Sequence, residues 1–255
     1  MISPRCGIDF LTHAEEPCGN HADDGYDLQA TIAKHFSAPW QHPPTVPETA
    51  VHYRARNIAV VIVPVDAERE TGFRRYANEE VATRAAENSD ALIPIAAVDP
   101  AKARVGEQGA LGLVREFGVM GFNFHPTMQG FCLNDRMAYP LSEAIAETGA
   151  LAVFHNGQTG VGSRMRGGNR TLLTYSISMH FGDVAVVFPD VLIRYAKTLL
   201  TTKMLFRSDW PMIAPENWLA AFDAAPFKDT VRPLILKDNA VRLLGVDRLA
   251  PPKRR

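Results

Sequence analysis

The sequence is poor in cysteine, balanced in charge and without a long hydrophobic run. It contains three cysteines in 255 residues, an odd number without disulfide spacing, which favours a reducing, cytoplasmic location. The first residues have no apolar segment of signal-peptide length. The longest apolar run has eight residues, 58–65, whereas a membrane helix needs about 18 or more. The sequence therefore predicts no secretion signal and no membrane span.

The charge balance argues against polyanionic partners. Lys and Arg together number 27 and Asp and Glu 28, which gives a net charge of -1. Nucleic acids and acidic membranes attract an excess of positive charge, and this chain has none. The expected partner is therefore a small-molecule substrate. A length of 255 residues with 46% hydrophobic content fits one α/β barrel, which needs about 250 residues.

Short apolar segments alternate with amphipathic helical segments along the chain. Such alternation is typical of βαβ units and a parallel sheet. Strands are predicted at residues 6–11, 58–63, 91–98, 119–124, 151–154 and 203–206. Helices are predicted at 76–86, 103–117, 139–147 and 184–188, and residues 216–245 are expected to be mostly helical, with Gly245 as the C-cap.

Two segments interrupt this alternation. Residues 14–56 are rich in Pro, Gly and Asp and are interpreted as an irregular insertion after the first strand, with a helix at 26–36 over the barrel mouth. Residues 246–255 are interpreted as a solvated tail. Residues 1–255 as a whole are expected to form a single barrel domain.

Polar side chains with metal-binding chemistry follow four of the predicted strands. His13 follows the first strand, His125 the fourth, His155 the fifth, and Asp209 and Trp210 the last. In a parallel α/β barrel the carboxyl ends of the strands form one active-site mouth. Imidazole and carboxylate together suit a divalent ion such as Zn²⁺, which lowers the pKa of a bound water. A single histidine after a strand is more often a hydrogen-bonding loop residue, so the prediction depends on the four positions together; the other histidines are interpreted as surface or packing residues.

Two glycine-rich segments, 157–162 and 166–170, follow the fifth predicted strand. Neither has the residue order of a P-loop or of a dinucleotide-binding motif. A loop over the mouth is the better interpretation. Arg164, with Arg166 and Arg170, is a candidate for binding a substrate carboxylate or a coenzyme phosphate.

Six motifs, taken in order, resemble those of the amidohydrolase-related family, in the branch typified by aminocarboxymuconate-semialdehyde and resorcylate decarboxylases. They lie at residues 8–15, 64–68, 121–126, 154–160, 208–211 and 236–240, so the resemblance extends from residue 7 to about 246. It implies a metal-dependent TIM-type (β/α)8 barrel, commonly with zinc. Enzymes of this kind hydrolyse or decarboxylate small, often aromatic-derived acids.

The family's metal ligands carry over to this chain only in part. The resemblance implies His13, His155 and Asp209 as ligands of a divalent metal, Zn²⁺ first and Mn²⁺ as the alternative, with Asp209 also the general base. The first histidine of the family's strand-one motif is replaced here by Leu11. Arg207 stands where the family usually has glycine, two residues before the aspartate.

The chain is short between the fifth and the last predicted strand. Only twelve residues, 191–202, lie where the family has strands six and seven and a catalytic histidine. Eight βα units in about 250 residues average about 31 residues each, so this space holds at most one helix or one strand. We therefore expect an incomplete barrel, with strands six and seven missing or replaced. Its open edges require the remaining strands to close up, residues 191–193 to pair in, or a second subunit, as in a homodimer.

Two functions of different classes are compatible with the sequence. The first is a metal-dependent hydrolase or carboxy-lyase for a small, aromatic-derived carboxylic acid, with His125, Trp210 and Arg164 lining the substrate pocket. The second is a degenerate family member that holds little metal, lacks catalytic activity and binds a ligand or partner. Leu11, Arg207 and the missing histidine favour the second. These residues do not separate hydrolysis from decarboxylation.

Overall fold

Parallel strands with intervening helices make up the protein in a computed structural model that describes residues 2, 5–13, 44–72, 74–155 and 188–246. The strands are β1 Gly7–Thr12, β2 Ile58–Ile62, β3 Leu92–Pro94, β4 Ala96–Ala97, β5 Gly121–Phe124 and β6 Leu151–Phe154. They confirm five of the six predicted strand segments. The predicted helix at 26–36, the glycine-rich segments and Arg164 lie outside the described residues.

The strands follow one another across the sheet in chain order, as they do in a barrel. The sheets have the orders β1-β2-β3 and β4-β5-β6, and every pair is parallel. Only Ile95 separates β3 from β4, and hydrogen bonds continue past it, from Ile95 N to Ile62 O at 3.0 Å and from Met120 N to Pro94 O at 3.0 Å. β3 and β4 are therefore one bent strand. The described strands form an open arc rather than a closed barrel, which agrees with the predicted incompleteness.

The prediction of a strand at 203–206 is wrong. The structure has a turn at 201–203 and a segment without regular secondary structure at 204–209. This segment still lies against β1, because Phe10 N donates to Phe206 O at 2.8 Å and Asp209 N donates to Leu11 O at 3.2 Å. It takes the place beside β1 that the last strand of a barrel would occupy.

Competing hydrogen bonds explain why this segment is not a regular strand. Phe206 N donates to Ile235 O at 2.9 Å, away from β1. Ser208 N donates to the carboxylate of Asp9 at 3.0 Å instead of to a backbone carbonyl. The backbone ladder is therefore interrupted on both sides of position 207.

Helices lie between the strands and after the last of them. They are α1 Val46–Ala55, α2 Glu68–Thr71, α3 Asn78–Glu87, α4 Ala103–Phe117, α5 Pro126–Gln129, α6 Tyr139–Thr148, α7 Asp190–Ala196, α8 Pro215–Ala224 and α9 Asn239–Leu244, with 3-10 turns at Pro100–Lys102 and Arg136–Ala138 and a π-helical turn at Leu234–Asp238. The helix predictions at 76–86, 103–117, 139–147 and 216–245 are confirmed, and Gly245 is the C-cap of α9. Of the helix predicted at 184–188 only Phe188 is described, and it is not helical. No helix in the described ranges is long and apolar enough to cross a membrane.

The last part of the predicted insertion at 14–56 is a regular helix. The Thr45 hydroxyl accepts from Glu48 N at 3.3 Å, and the Glu48 carboxylate accepts from Thr45 N at 2.8 Å. This capping box starts α1, with Pro47 in its first turn. Tyr53 on α1 is fully buried against the sheet, so α1 belongs to the barrel layer of helices.

Alternate side chains of β2 enter two apolar layers. Ile58, Val60 and Ile62 pack in one layer with side chains of α1, α3 and α8. Ala59 and Val61 pack in the other layer, with side chains of β1 and β3. Burial of both faces is typical of a strand in a parallel barrel.

Candidate metal and substrate site at the strand ends

The structure brings the residues predicted at the strand ends to one edge of the sheet. His13 directly follows β1, His125 follows β5 and His155 follows β6. Asp209 and Trp210 lie beside the end of β1, where His13 N donates to Trp210 O at 2.8 Å. Because the strands are parallel, all five residues share the carboxyl edge that forms the active-site mouth of such barrels.

His13 directs its Nε2 at Asp209. Its Nδ1 lies 3.0 Å from Val63 O, and a carbonyl oxygen only accepts, so Nδ1 carries a proton. Nε2 lies 3.4 Å from Asp209 Oδ1. A carboxylate oxygen is an acceptor, so a proton or a bound cation between these two atoms would stabilise the pair.

The pair has the geometry of one edge of a metal site. Zinc bonds of about 2.0–2.1 Å at the tetrahedral angle place two ligand atoms about 3.3 Å apart, and the His13–Asp209 distance is 3.4 Å. A ligating histidine commonly donates its other N–H to a carbonyl, as His13 does to Val63. His13 and Asp209 therefore fit a divalent metal. Within the described ranges no three His, Cys, Asp or Glu side chains are grouped to hold one, so His155 as the third ligand stays a prediction.

Leu11 adds no ligand to this pair. Its side chain is buried in the apolar layer that also contains Ile8, Phe10 and Val63. The register between β1 and β2 shifts between Asp9 and Thr12, at the same place. Position 11, which carries a histidine in the family that the sequence resembles, is thus a core position in this chain.

A guanidinium contacts Asp209 from the chain segment that carries both residues. Arg207 Nη2 donates to Asp209 Oδ1 at 3.2 Å, the oxygen that His13 Nε2 also faces. The Arg207 side chain is only 12% exposed. The site therefore contains a permanent, largely buried cation.

His125 and His155 stack face to face. Their ring centroids are 4.0 Å apart and their planes differ by 10°. Burial holds the pKa of His125 well below its ordinary value, with smaller effects from the nearby His155, His13 and Arg207. Met128 N donates to His125 Nδ1 at 3.2 Å, so the proton of the neutral ring is on Nε2. This neutral N–H donor suits the predicted role in substrate binding.

Trp210 is part of an aromatic cluster with α1. Its ring stacks on His52 with centroids 4.4 Å apart and meets the edge of Tyr53 at 5.9 Å. Burial, followed by the charge of Arg56, lowers the pKa of His52 to about 4, so the ring is neutral. In the described structure His52 Nε2 has no hydrogen-bond partner. The interpretation of His52 as a packing residue fits this position, and it supports the Trp210 ring.

Asp9 is a positioning residue that had no predicted role. Its fully buried carboxylate accepts from Ser208 N at 3.0 Å, Leu11 N at 3.3 Å, Tyr53 Oη at 2.8 Å and Ser208 Oγ. Burial raises its pKa to about 6, against the opposite effect of these hydrogen bonds. The bonds fix the segment that carries Asp209 against β1. A lone carboxylate within an apolar strand was the available signal.

Comparison with known proteins identifies the family of this architecture. The sequence model of the amidohydrolase family matches residues 8–196. No curated protein matches the chain. Among solved structures, an uncharacterized TIM-barrel protein from Bordetella bronchiseptica is similar with a TM-score of 0.69 and 18% sequence identity, over 94% of this chain and 98% of that chain.

Two decarboxylases share the fold. The 5-carboxyvanillate decarboxylase from Novosphingobium aromaticivorans, a mutant with bound manganese and 3-methoxy-4-hydroxy-5-nitrobenzoic acid, has a TM-score of 0.63 at 11% identity, over 94% of this chain and 97% of its own. The 2,6-dihydroxybenzoate decarboxylase from Rhizobium has a TM-score of 0.57 at 13% identity, over 94% and 99%. At such identities the likeness establishes the TIM-type fold, and the family match covers most of the chain. The chain belongs to the amidohydrolase family and is an enzyme of its metal-dependent type.

Proposed function

We propose that this enzyme is a carboxy-lyase that removes CO2 from a small aromatic carboxylic acid with the help of a divalent metal. The observation that carries the proposal is the His13–Asp209 pair, an imidazole nitrogen 3.4 Å from a carboxylate oxygen at the strand ends. The substrate class is supported by the two decarboxylases of the same fold, whose names specify 5-carboxyvanillate and 2,6-dihydroxybenzoate.

His13, His155 and Asp209 are the proposed metal ligands. Three protein ligands leave one coordination position open, as catalytic metal sites require. A divalent ion held there would polarise a substrate oxygen and stabilise negative charge that develops on it. Imidazole ligands suit Zn²⁺, and the manganese in the Novosphingobium enzyme favours Mn²⁺.

Asp209 is proposed to move the proton of the reaction. In decarboxylation the bond between the ring carbon and the carboxyl carbon breaks, CO2 leaves, and the ring carbon takes a proton with the electron pair that remains. Asp209 is partly exposed, so it can receive a proton from water and pass it to the ring carbon. The same carboxylate would activate a water molecule if the reaction were a hydrolysis.

The remaining site residues are proposed to bind the substrate. His125 donates its Nε2–H to a substrate oxygen, and Trp210 offers an aromatic surface to the ring of the acid. Arg164 is proposed to be one of the cations that bind the substrate carboxylate. This division gives each predicted substrate contact a separate chemical role.

Release of labelled CO2 tests the proposal. Metal-loaded protein is incubated with hydroxybenzoates that carry ¹³C in the carboxyl group, and we expect ¹³CO2 together with the ring-protonated product. Asp209→Asn should lower turnover by at least about 100-fold, the usual size of a general acid–base contribution. Asp190→Asn, at the exposed start of α7, is the matched control and should leave turnover unchanged. Hydrolysis of ester or amide analogues without CO2 release would favour the hydrolase instead.

The second candidate is a metal-poor family member that binds a ligand without turnover. It is favoured by the missing group of three metal ligands within the described ranges and by the ion pair between Arg207 and Asp209. Elemental analysis after expression with added Zn²⁺ and Mn²⁺ separates the two candidates. About one metal ion per chain supports the carboxy-lyase, and less than a tenth of an equivalent supports the metal-poor protein.

A further inference from the structure

A permanent positive charge lies where a metal would meet Asp209. Arg207 Nη2 donates to Asp209 Oδ1 at 3.2 Å, and His13 Nε2 lies 3.4 Å from the same oxygen. We propose that Arg207 competes with the divalent metal for Asp209, and that the substrate carboxylate takes over Arg207 when the metal binds. This inference rests on the proposed metal site and assigns the residue that sets its affinity.

A metal ion and the guanidinium repel each other at this place. Arginine stays protonated at every pH at which proteins are folded, so loss of a proton does not relieve the repulsion. The Arg207 side chain is 12% exposed and that of Asp209 17%, so water and dissolved salt screen the charges only weakly. The guanidinium therefore opposes a divalent ion on Asp209 Oδ1 for as long as it stays at this oxygen.

The first step of metal binding is thus the breaking of an ion pair. With Arg207 in place, the charge of Asp209 is already neutralised within the protein. The side chain of Leu11 is buried in the core and cannot bind a metal. The chain therefore lacks the additional histidine ligand that would strengthen metal binding against Arg207. We therefore expect the metal affinity of the chain to depend on how readily Arg207 leaves Asp209.

A further anion would favour the displacement of the guanidinium from Asp209. A carboxylate is its best partner, because two carboxylate oxygens accept two parallel N–H bonds from the planar guanidinium. The proposed substrate brings such a group to the strand ends. Metal and carboxylate should therefore bind with positive coupling, and thermodynamic linkage requires the coupling to be reciprocal.

Calorimetric titration of metal-free protein with Mn²⁺ tests this competition. Arg207→Gln removes the charge and should bind Mn²⁺ at least about tenfold more tightly than the wild type, whereas Arg207→Lys keeps a cation and should remain weak. Arg194→Gln, exposed on α7, is the matched control and should behave as the wild type. Saturating benzoate should tighten Mn²⁺ binding by the wild type about threefold or more and leave Arg207→Gln unaffected.

The outcomes separate this inference from the proposed function. The competition is overturned if Arg207→Gln binds Mn²⁺ equally well or more weakly than the wild type while its far-UV spectrum and thermal midpoint are unchanged. It is also overturned if neither protein binds Mn²⁺. Arg207→Gly is the second variant should Arg207→Gln fail to fold. Tighter Mn²⁺ binding by Arg207→Gln without CO2 release from any benzoate supports the competition and contradicts the carboxy-lyase alone.

Discussion

At the scale of the residue, Asp9 shows how a buried charge can hold an active site together at a cost in stability. Its carboxylate is completely buried and accepts four hydrogen bonds from Ser208, Tyr53 and Leu11. Burial nevertheless outweighs these bonds and raises the pKa of Asp9 from 3.8 to about 6. The charged form is therefore less favourable in the folded protein than in the unfolded chain.

The pKa of Asp9 predicts a specific dependence of stability on pH. Because the folded-state pKa lies above the unfolded one, the contribution of Asp9 to stability is complete below about pH 4 and is lost as the pH rises through 6. A shift of this size corresponds to about 3 kcal/mol. We therefore compare the free energy of unfolding of Asp9→Asn with that of the wild type, both measured in urea. The difference should shift in favour of Asp9→Asn by about this amount when the pH is raised from 4 to 7.5. Asp190→Asn on the exposed end of α7 serves as the control, and parallel pH profiles for Asp9→Asn and the wild type would contradict the assignment.

The candidate site was predictable from the sequence only where position along a strand decides the outcome. His13 and Asp209 could be expected to meet, since each follows a segment at the same edge of the sheet. The roles of Asp9 and His52 depend on burial by Ser208, Tyr53 and other residues far away in the chain. That burial is a property of the folded packing, and the only local signal for it was the lone carboxylate of Asp9 within an apolar strand.

At the scale of the element, close contact between β5 and β6 depends on one glycine. A Cβ added to Gly121 would lie 2.9 Å from Leu151 O and 3.3 Å from Ile95 Cδ1. The carbonyl belongs to the paired backbone of β6 and cannot rotate away. The absence of a side chain at this position is therefore required for the pairing of the two strands.

We expect Gly121→Ala to destabilise the fold by about 1–3 kcal/mol, the usual cost of overpacking. Gly109→Ala is the matched control, because Gly109 is exposed on α4 with nothing within 4 Å of its added Cβ. The control should stabilise the protein by up to about 1 kcal/mol through helix propensity. The urea midpoints of the two variants measure both changes, provided that the dependence of the unfolding free energy on urea has the same slope in each. Equal midpoints for the two variants would show that β5 and β6 do not approach as closely as described.

The elements themselves were predictable to different degrees. The helix prediction at 103–117 coincides with α4, because its apolar spacing and the following Gly118 act locally. Helix α1 was missed, since its proline-rich approach masked the capping box of Thr45 and Glu48. The wrong strand at 203–206 has a different cause. Its ladder to β1 is broken by the bond from Phe206 N to Ile235 O and by the side chain of Asp9, which accepts from Ser208 N. Backbone propensities cannot anticipate either bond.

At the scale of the whole molecule, the proposed metal site joins two segments that are far apart in the sequence. His13 follows the first strand, and Asp209 lies in the segment that returns to β1 after α7. Their contact exists only when the arc of strands is folded, with the last segment seated beside β1. The unfolded chain does not preserve this pair, so a metal should bind the native state in preference to the unfolded one.

Metal binding should therefore stabilise the entire fold by an amount that grows with the ratio of the free metal concentration to the dissociation constant. Mn²⁺ at about 100 times its dissociation constant should raise the free energy of unfolding by about 2.7 kcal/mol, provided that the unfolded chain does not bind it. The gain should be reversed by a chelator and absent in His13→Ala, which removes the nitrogen facing Asp209. Asp190→Asn should retain the full gain. A urea midpoint that is independent of Mn²⁺ concentration in the wild type would contradict a metal site at this junction, because any ligand that binds only the folded arc must shift its unfolding equilibrium.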